Sequence, residues 1–357
     1  MSRGVVAVGL SGGVDSSAAV ALLLEAGYEC VGVTMRHLPA EMANSCCSLE
    51  AVVDARRVAK RLGVPHYLVD VEEPFREHVM APFEEAYLAG TTPNPCAACN
   101  RYIKFGRLWE WARSQGADYL ATGHYARVVE HNGRHELWRG ADRGKDQSYI
   151  LYTLTEEDLA HILFPLGDMT KPEVRAYAAA RGLTTASKPD SQELCFVAGN
   201  DYRAYLRAQR PDAVRPGRIV DTGGRILGDH EGVAFYTVGQ RRGLGVAAPI
   251  PLYVVSVDAG ANEVVVGSRA EAMASRVRVV DVVRAARSDP GPLRVEVQVR
   301  AHGAVKPAWW MPMPDDAASV RFEQPEWGVT PGQIAVAYEG DRVAAGGRIA
   351  EALSAAS

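Results

Sequence analysis

One stretch near the start of the chain constrains it more than any other: Gly9-Leu10-Ser11-Gly12-Gly13-Val14-Asp15-Ser16-Ser17. It lies between a short apolar run at residues 4–8 and an apolar segment at 18–24 that reads as a helix. Strand, glycine loop and helix in that order make a phosphate cradle. Glycine lets backbone N–H groups come close to an anion, and the hydroxyls of Ser11, Ser16 and Ser17 add donors. The helix start contributes its unbonded N–H groups and its partial positive charge. The lysine of G-x-x-x-x-G-K-S/T is missing, which argues against a P-loop triphosphatase.

With 357 residues the chain can hold two or three domains with real cores. Its formal net charge is only −4, so no global positive field marks a nucleic-acid partner, and any RNA contact must come from local patches. No basic segment followed by a signal-type apolar stretch opens the chain, and no run is long enough to span a bilayer. The expectation is a cytoplasmic protein with no membrane partner. Six cysteines (Cys30, Cys46, Cys47, Cys96, Cys99 and Cys195) in a chain this long do not make a disulfide scaffold. Cys30, Cys46 and Cys47 read as structural.

Strand and helix signals alternate over the first two hundred or so residues. Strands are expected at 30–35, 66–71 and 118–122, and helices at 48–62, 74–88 and 100–113. This is the pattern of an α/β domain, a doubly wound parallel sheet covered by helices, expected over residues 1–208. Ligands of such sheets sit at the carboxyl ends of the strands, where the phosphate loop also lies. Beyond Pro211, short β-rich runs separated by Gly, Asp and Pro predict two small β-rich domains. One is a central domain over 209–272, with runs at 218–220, 232–236, 253–257 and 264–267. The other is a barrel-like domain over 273–357, with runs at 279–283, 293–300, 319–322, 334–338 and 342–350. The last three residues are expected to fray.

Thr92-Pro93-Asn94-Pro95-Cys96-Ala97-Ala98-Cys99-Asn100 is a second signal. Its prolines fix φ, and Cys99 falls where a helix is expected to begin, a position that lowers a thiol's pKa. Arg101 and Lys104 add positive charge. The C-x-x-C spacing alone fits a redox pair, metal ligands or coincidence. A third signal is Lys188-Pro189-Asp190-Ser191-Gln192-Glu193-Leu194-Cys195-Phe196, in which Cys195 alone reads as a buried hydrophobe or a reactive thiol. Gly123-His124-Tyr125 ends a strand of the same sheet, and Lys145-Asp146-Gln147-Ser148-Tyr149 follows a basic loop.

Together these motifs resemble the tRNA-specific 2-thiouridylases, enzymes that place sulfur on C2 of a wobble uridine. The likeness extends through Phe164-Pro165-Leu166-Gly167, Thr170-Lys171-Pro172-Glu173-Val174-Arg175, residues 235–245 and Leu252-Tyr253-Val254-Val255. Ser11-Gly12-Gly13-Val14-Asp15-Ser16 is similar to the pyrophosphate loop of enzymes that cleave ATP between its α- and β-phosphates, an adenine nucleotide α-hydrolase-like fold. The resemblance implies that Gly9, Leu10, Ser11, Gly12, Gly13, Val14, Asp15 and Ser16 hold ATP with Mg²⁺, and that Met35 and Gly123 lie against the nucleotide. It further implies that Cys195 receives a persulfide from a sulfur donor protein, and that Cys99 resolves it through a Cys99–Cys195 disulfide. Asn94, Pro95, Cys96, Lys145, Asp146, Gln147, Arg300 and Ala301 are the implied contacts to the target base and tRNA. His124 and Gln333 are implied in the choice of tRNA.

The chain departs from the pattern at two places. Cys96 stands where one branch of the family has an aspartate, so an acid–base role there is not expected. Cys96, Cys99 and Cys195 could instead hold a 4Fe–4S cluster. Arg300-Ala301 stands where Arg-Tyr is expected, which removes an aromatic ring that could stack on a base. Further basic residues that could follow RNA are Arg139 to Lys145, Arg203 to Arg218 and Arg241-Arg242. Two rival functions weigh less: an amidotransferase or synthetase would have no use for Cys99 and Cys195, and a non-catalytic iron–sulfur RNA-binding protein would need no phosphate loop.

Overall fold

The computed structural model describes residues 2–38, 49–189, 194–285, 291–301 and 303–354. Cys46, Cys47, Asp190, Ser191, Gln192, Glu193, His302 and the last three residues lie outside them. The chain divides into two compact units. One comprises Met1–Val79, Cys96–Asn200 and Asp341–Val343, and the other Met80–Pro95, Asp201–Gly340 and Ala344–Ser357.

The first unit is built on β1 (Val5–Gly9), β2 (Glu29–Arg36), β3 (His66–Asp70) and β4 (Tyr119–Ala121). After a hairpin of β5 (Ala126–His131) and β6 (Arg134–Arg139) comes β7 (Ile162–Leu163). The sheet order is β3-β2-β1-β4-β7 and every pairing in it is parallel. Val6 and Val8 pack with Ala19, Val20 and Leu23 of helix Val14–Glu25 and with Ala55, Val58 and Ala59 of helix Leu49–Leu62. Gly9 faces the other way, where a Cβ would lie 4.0 Å from Leu108 of helix Leu108–Ser114. Both faces are therefore covered, as a parallel sheet requires. Cys30 is buried in this core, and burial pushes its thiol up to about 11.

The order reverses at β1, whose neighbours are β2 on one side and β4 on the other. Such a reversal opens a crevice at the carboxyl ends of the strands, because the connections on its two sides run to opposite faces. The phosphate loop leaves β1 there, and Thr122-Gly123-His124 leaves β4 at the same place.

Two local features in this part of the chain differ from expectation. The helix after the proline-rich loop begins at Pro95, not near Cys99: Pro95–Ala98 is α-helical, Cys99–Arg107 is a π-helix and Leu108–Ser114 is α-helical again. Proline suits a first helical position, since its φ is preset and its missing N–H has no partner to lose. Cys99 is thus past the first turn and does not stand at the helix start expected for it. The β5–β6 hairpin was not expected either. Its turn is Asn132-Gly133, both at positive φ (51° and 73°), which is what a two-residue hairpin needs.

In the second unit, β8 (Gly217–Asp221), β9 (Ile226–His230), β10 (Tyr253–Asp258) and β11 (Glu263–Gly267) form a sheet of order β10-β11-β8-β9. β12 (Met273–Arg284), β13 (Leu293–Gln298), β14 (Lys306–Met313), β15 (Ala317–Trp327), β16 (Ile334–Glu339) and β17 (Arg342–Ser354) follow, in the order β12-β15-β14-β13-β16-β17. β17 also pairs with β12, which closes the barrel and removes its edges. Residues 232–236, expected as a strand, contain a 3₁₀ turn at Val233–Phe235, with all three of those residues buried and no inside–outside alternation to support pairing. Helix Ala81–Leu88 belongs to this unit: Tyr205 donates to Glu84 at 2.8 Å, and Tyr87 stacks on Tyr202 with ring centres 4.6 Å apart. Among the described residues no helix is long and apolar enough to cross a membrane.

Trp310 is 1% exposed at the centre of the barrel, among Val277, Val297, Val320 and Ala337. Trp310→Ala is expected to lower the barrel's stability by about 3–5 kcal/mol, read from urea unfolding followed by circular dichroism. A loss below about 1 kcal/mol would mean that the barrel does not depend on this ring.

Candidate active site

The phosphate loop is anchored by its buried residues, which leaves its backbone for other work. Leu10 is 2% exposed; its N–H donates to Val33 at 2.7 Å and its carbonyl accepts from Thr34 Oγ1 at 2.7 Å. Val14 is buried as well. Leu10 and Val14 therefore serve the loop from inside. Gly12 has φ +71°, and a Cβ there would lie 2.4 Å from the carbonyl oxygen of Ala51, so only glycine fits. Ser16 Oγ accepts from the Ser11 N–H at 3.2 Å and donates to the Gly13 carbonyl at 3.2 Å, which fixes the turn. Gly13 is the N-cap of helix Val14–Glu25 and brings no side chain to cap it. The N–H groups of that first turn face the crevice without a side-chain cap, an arrangement suited to a phosphate.

Three segments distant in sequence meet at Asp15. Lys171 Nζ donates to both carboxylate oxygens, at 2.8 and 2.7 Å, and the Tyr125 hydroxyl donates to Oδ1 at 2.7 Å. Lys171 is 8% exposed, and its ammonium also lies 5.7 Å from the centre of the Tyr125 ring. Gly123 packs against the same turn: a Cβ would come within 2.7 Å of the Asp15 carbonyl carbon and 2.8 Å of the Ser16 nitrogen. Any larger residue at 123 would push the loop away. Met35 is half-buried near the carboxyl end of β2.

A carboxylate inside a phosphate cradle repels a nucleotide unless a cation bridges the two. Asp15 fits as a ligand of Mg²⁺, a hard cation that takes oxygen donors from carboxylates and phosphates. Lys171 and Tyr125 were not singled out as site residues from the sequence. Lys171 opens helix Lys171–Ala180 behind a capping box of Thr170 and Glu173, and such a box signals a helix start and nothing more.

The thiols differ in setting. Cys96 is exposed, and Cys99 and Cys195 are partly exposed. Cys195 sits in a turn closed by the Val197 N–H on the Leu194 carbonyl at 3.0 Å. Phe196 and Val197 are the buried anchors of that turn, with Phe196 edge-on to Phe75 at 5.8 Å. Cys195 is thus not the core hydrophobe that its neighbours in sequence suggest. Among the described residues no group of three or more His, Cys, Asp or Glu side chains is gathered to hold a metal ion. Cys96, Cys99 and Cys195 do not form the ligand set that a 4Fe–4S cluster needs, and the iron–sulfur reading is not favoured.

Several expected RNA contacts are committed to internal bonds. His124 is 6% exposed, with Nδ1 2.7 Å from Thr122 Oγ1 and Nε2 3.4 Å from Lys104 Nζ. Burial, reinforced by the Lys104 charge, holds its pKa well below the ordinary value, so the ring is neutral. Asp146 accepts from Arg139 Nε at 2.8 Å, from the Gly140 and Ser148 N–H groups and from the Ser148 hydroxyl. Gln147 accepts from the Tyr125 N–H at 3.0 Å, and Lys145 is half-buried beside it in chain order. Asn94 is half-buried and Pro95 buried. Arg300 donates to the buried Glu326 at 2.9 Å, and Ala301 is exposed. Gln333 donates to the carbonyls of Thr92 and Pro93 at 3.0 and 3.1 Å. Arg101, Arg143, Arg207 and Arg210 are paired with carboxylates, whereas Arg215, Arg218, Arg241 and Arg242 are exposed.

Residues 4–199 match a family described as the tRNA methyl transferase HUP domain. Residues 203–268 match the tRNA methyl transferase PRC-barrel domain, and residues 275–349 the aminomethyltransferase beta-barrel domain. A protein of Moorella thermoacetica named tRNA-specific 2-thiouridylase MnmA is 48% identical over 357 residues, covering 96% of this chain and 98% of its own. A protein of the same name from Carboxydothermus hydrogenoformans is 46% identical over 362 residues, covering 99% of each chain. One from Sorangium cellulosum is 48% identical, covering 98% of this chain and 92% of its own. Likeness of this degree along the length of both partners places the chain in the tRNA-specific 2-thiouridylase family.

Proposed function

We propose that this protein is a tRNA sulfurtransferase that replaces the C2 oxygen of a wobble uridine with sulfur, at the expense of ATP. Its relatives carry the name of that activity over their whole length. The observation that carries the reading is that the phosphate cradle and both partly exposed thiols, Cys99 and Cys195, belong to one compact unit.

The chemistry follows from the substrate. The C2 carbonyl of uridine is amide-like, and its oxygen leaves badly. Attack of that oxygen on the α-phosphorus of ATP expels pyrophosphate and makes the oxygen part of an AMP leaving group. Gly9 to Ser16 hold the phosphates through backbone N–H groups, with Met35 and Gly123 along the nucleotide. Lys171 neutralises the charge that develops on the pyrophosphate, in a crevice where such an interaction is strong. Mg²⁺ would be held by the Asp15 carboxylate and would supply further positive charge to the departing pyrophosphate. The terminal sulfur of a persulfide on Cys195 then bonds to C2 as AMP departs. The Cys99 thiolate attacks Sγ of Cys195, the bond from Cys195 to the product sulfur breaks, and the electron pair leaves with that sulfur as 2-thiouridine. A dithiol reductant reopens the resulting Cys99–Cys195 disulfide, and a sulfur donor protein reloads Cys195.

Asn94, Pro95 and Cys96 line the flipped base, which has to leave the anticodon stack to be modified. Arg300 and the exposed Arg241 and Arg242 meet the tRNA backbone. His124, Asp146 and Gln147 act from inside, shaping the segments around Lys145. A reaction on tRNA with thiols that must be re-reduced suits the cytoplasm.

Mass spectrometry of tRNA nucleosides after a single turnover with ATP and a persulfide donor tests the reading. The expected product carries sulfur in place of oxygen at C2. A methylated nucleoside, as the description of the matched family suggests, would overturn the proposal. Cys195→Ala and Cys99→Ala are each expected to abolish 2-thiouridine while tRNA affinity stays within about twofold. Full activity in either variant would remove that residue from the relay.

Lys171→Ala is expected to slow the adenylation step on the order of a hundredfold or more, with Lys171→Arg less impaired. Release of pyrophosphate at the wild-type rate from Lys171→Ala would show that Lys171 does no more than pair with Asp15.

A further inference from the structure

Thr330-Pro331-Gly332-Gln333 is a tight turn with the Gln333 N–H on the Thr330 carbonyl at 3.2 Å. Proline at its second position and glycine at φ +91° at its third are the signature of a type II turn. In that turn the carbonyl of the second residue points outward. Here Pro331 O accepts from the Thr92 N–H at 2.9 Å. The turn itself is held by β17: Gly332 donates to Ile349 at 2.8 Å, and Ile349 donates to Gln333 at 2.7 Å.

Thr92 has each of its backbone and side-chain polar groups engaged. Its N–H goes to Pro331, its carbonyl accepts from Gln333 Nε2, and its hydroxyl donates to Thr237 Oγ1 at 3.1 Å. Thr237 is in turn fixed by Gln240, which accepts the Thr237 N–H at 3.2 Å. Gln333 Nε2 reaches the Pro93 carbonyl as well, so both amide protons are used. The orientation of that amide follows from chemistry, since two carbonyl oxygens can face its nitrogen and not its oxygen. Space is as tight as the bonding: a Cβ on Gly332 would lie 2.8 Å from the Thr92 nitrogen and 2.9 Å from its carbonyl carbon and oxygen.

We propose that Gln333 is a positioning residue, which clamps Thr92-Pro93 together with Pro331, Gly332 and Thr237 and so sets the Asn94-Pro95-Cys96 segment that follows. Gln333 thereby acts on thiolation by placing that segment, since both of its amide donors are spent there. The inference rests on the reading of Asn94, Pro95 and Cys96 as the lining of the target base; the clamp itself does not.

Two variants test it, each on the full chain. Gln333→Glu keeps the shape but turns a double donor into a carboxylate facing two carbonyls. Gly332→Ala disturbs the clamp without any side chain that could read RNA. Both are expected to raise hydrogen exchange in peptides covering residues 88–103, with exchange in β1 unchanged. Both are also expected to cut the single-turnover rate of thiolation at least about tenfold, while the Kd for a fluorescent tRNA stays within about twofold. If Gln333 reads RNA directly, Gln333→Glu weakens tRNA binding, Gly332→Ala is benign, and exchange over 88–103 does not change; that result overturns the proposal. Unchanged exchange together with an unchanged rate overturns it too. If wild-type protein makes no 2-thiouridine, the reading of the function fails, and hydrogen exchange still decides whether the clamp exists.

Discussion

The grip of Lys171 and Tyr125 on Asp15 is the constraint that ties the phosphate loop to the rest of the first unit. It joins the helix start after β1, the exit from β4 and the first residue of helix Lys171–Ala180 at one point. A partly buried carboxylate left alone at such a place would be costly, and so would a largely buried ammonium. Each offsets the other, and the hydroxyl of Tyr125 satisfies a further lone pair. The pair also holds the two charges that a nucleotide and its cation need already in place, with the ammonium largely desolvated. Preorganisation of this kind is where most electrostatic catalysis comes from, because little has to reorient when the substrate arrives.

What was legible in the sequence was what is local. The phosphate loop could be read because its strand, glycines and helix are contiguous, and its place at the carboxyl ends of the strands followed from the α/β alternation; the reversal of strand order there did not. Lys171 could not be read, since its partner is remote in sequence and its own surroundings spell only a capped helix. The β5–β6 hairpin did carry a signal in Asn132-Gly133, which the helix–strand alternation on either side obscured. The 3₁₀ turn at Val233–Phe235 was misjudged because a run of apolar residues does not distinguish a buried strand from a buried turn. The π-helix at Cys99–Arg107 has no sequence signature comparable to a cap or a proline, and its wider turns are set by packing.

The cysteines illustrate how neighbours mislead. Cys195 lies between Leu194 and Phe196, which suggests burial, yet the turn buries Phe196 and Val197 and leaves the thiol partly exposed. Cys99 was expected to be activated by a helix start, and the helix starts a turn earlier at Pro95. Whatever thiolate character Cys99 needs must come from its surroundings in the π-helix. Lys104, five residues on in the same helix, faces the neutral ring of His124. A neutral histidine beside a lysine leaves the ammonium charge uncompensated, where a carboxylate would have cancelled it. Burial that keeps His124 neutral thereby preserves a positive field in this part of the helix.

The same logic applies to His124, Asp146 and Gln333, all implied as contacts to RNA and all bonded inward. A donor or acceptor already bonded within the protein cannot be offered to a nucleotide without first breaking that bond, at about 1–3 kcal/mol for each buried group left unpaired. Substituting such a residue can still change which substrate reacts, because it moves the segment it holds. Loops that meet RNA must be placed to within a fraction of an ångström for a base to react, and proline alone presets φ without fixing where the loop lies. Thr92-Pro93 shows how placement is completed: hydrogen bonds to each free polar group of Thr92 and a glycine pressed against its backbone. In that sense the turn before β16, far along the chain from Thr92, sets where Thr92-Pro93 lies.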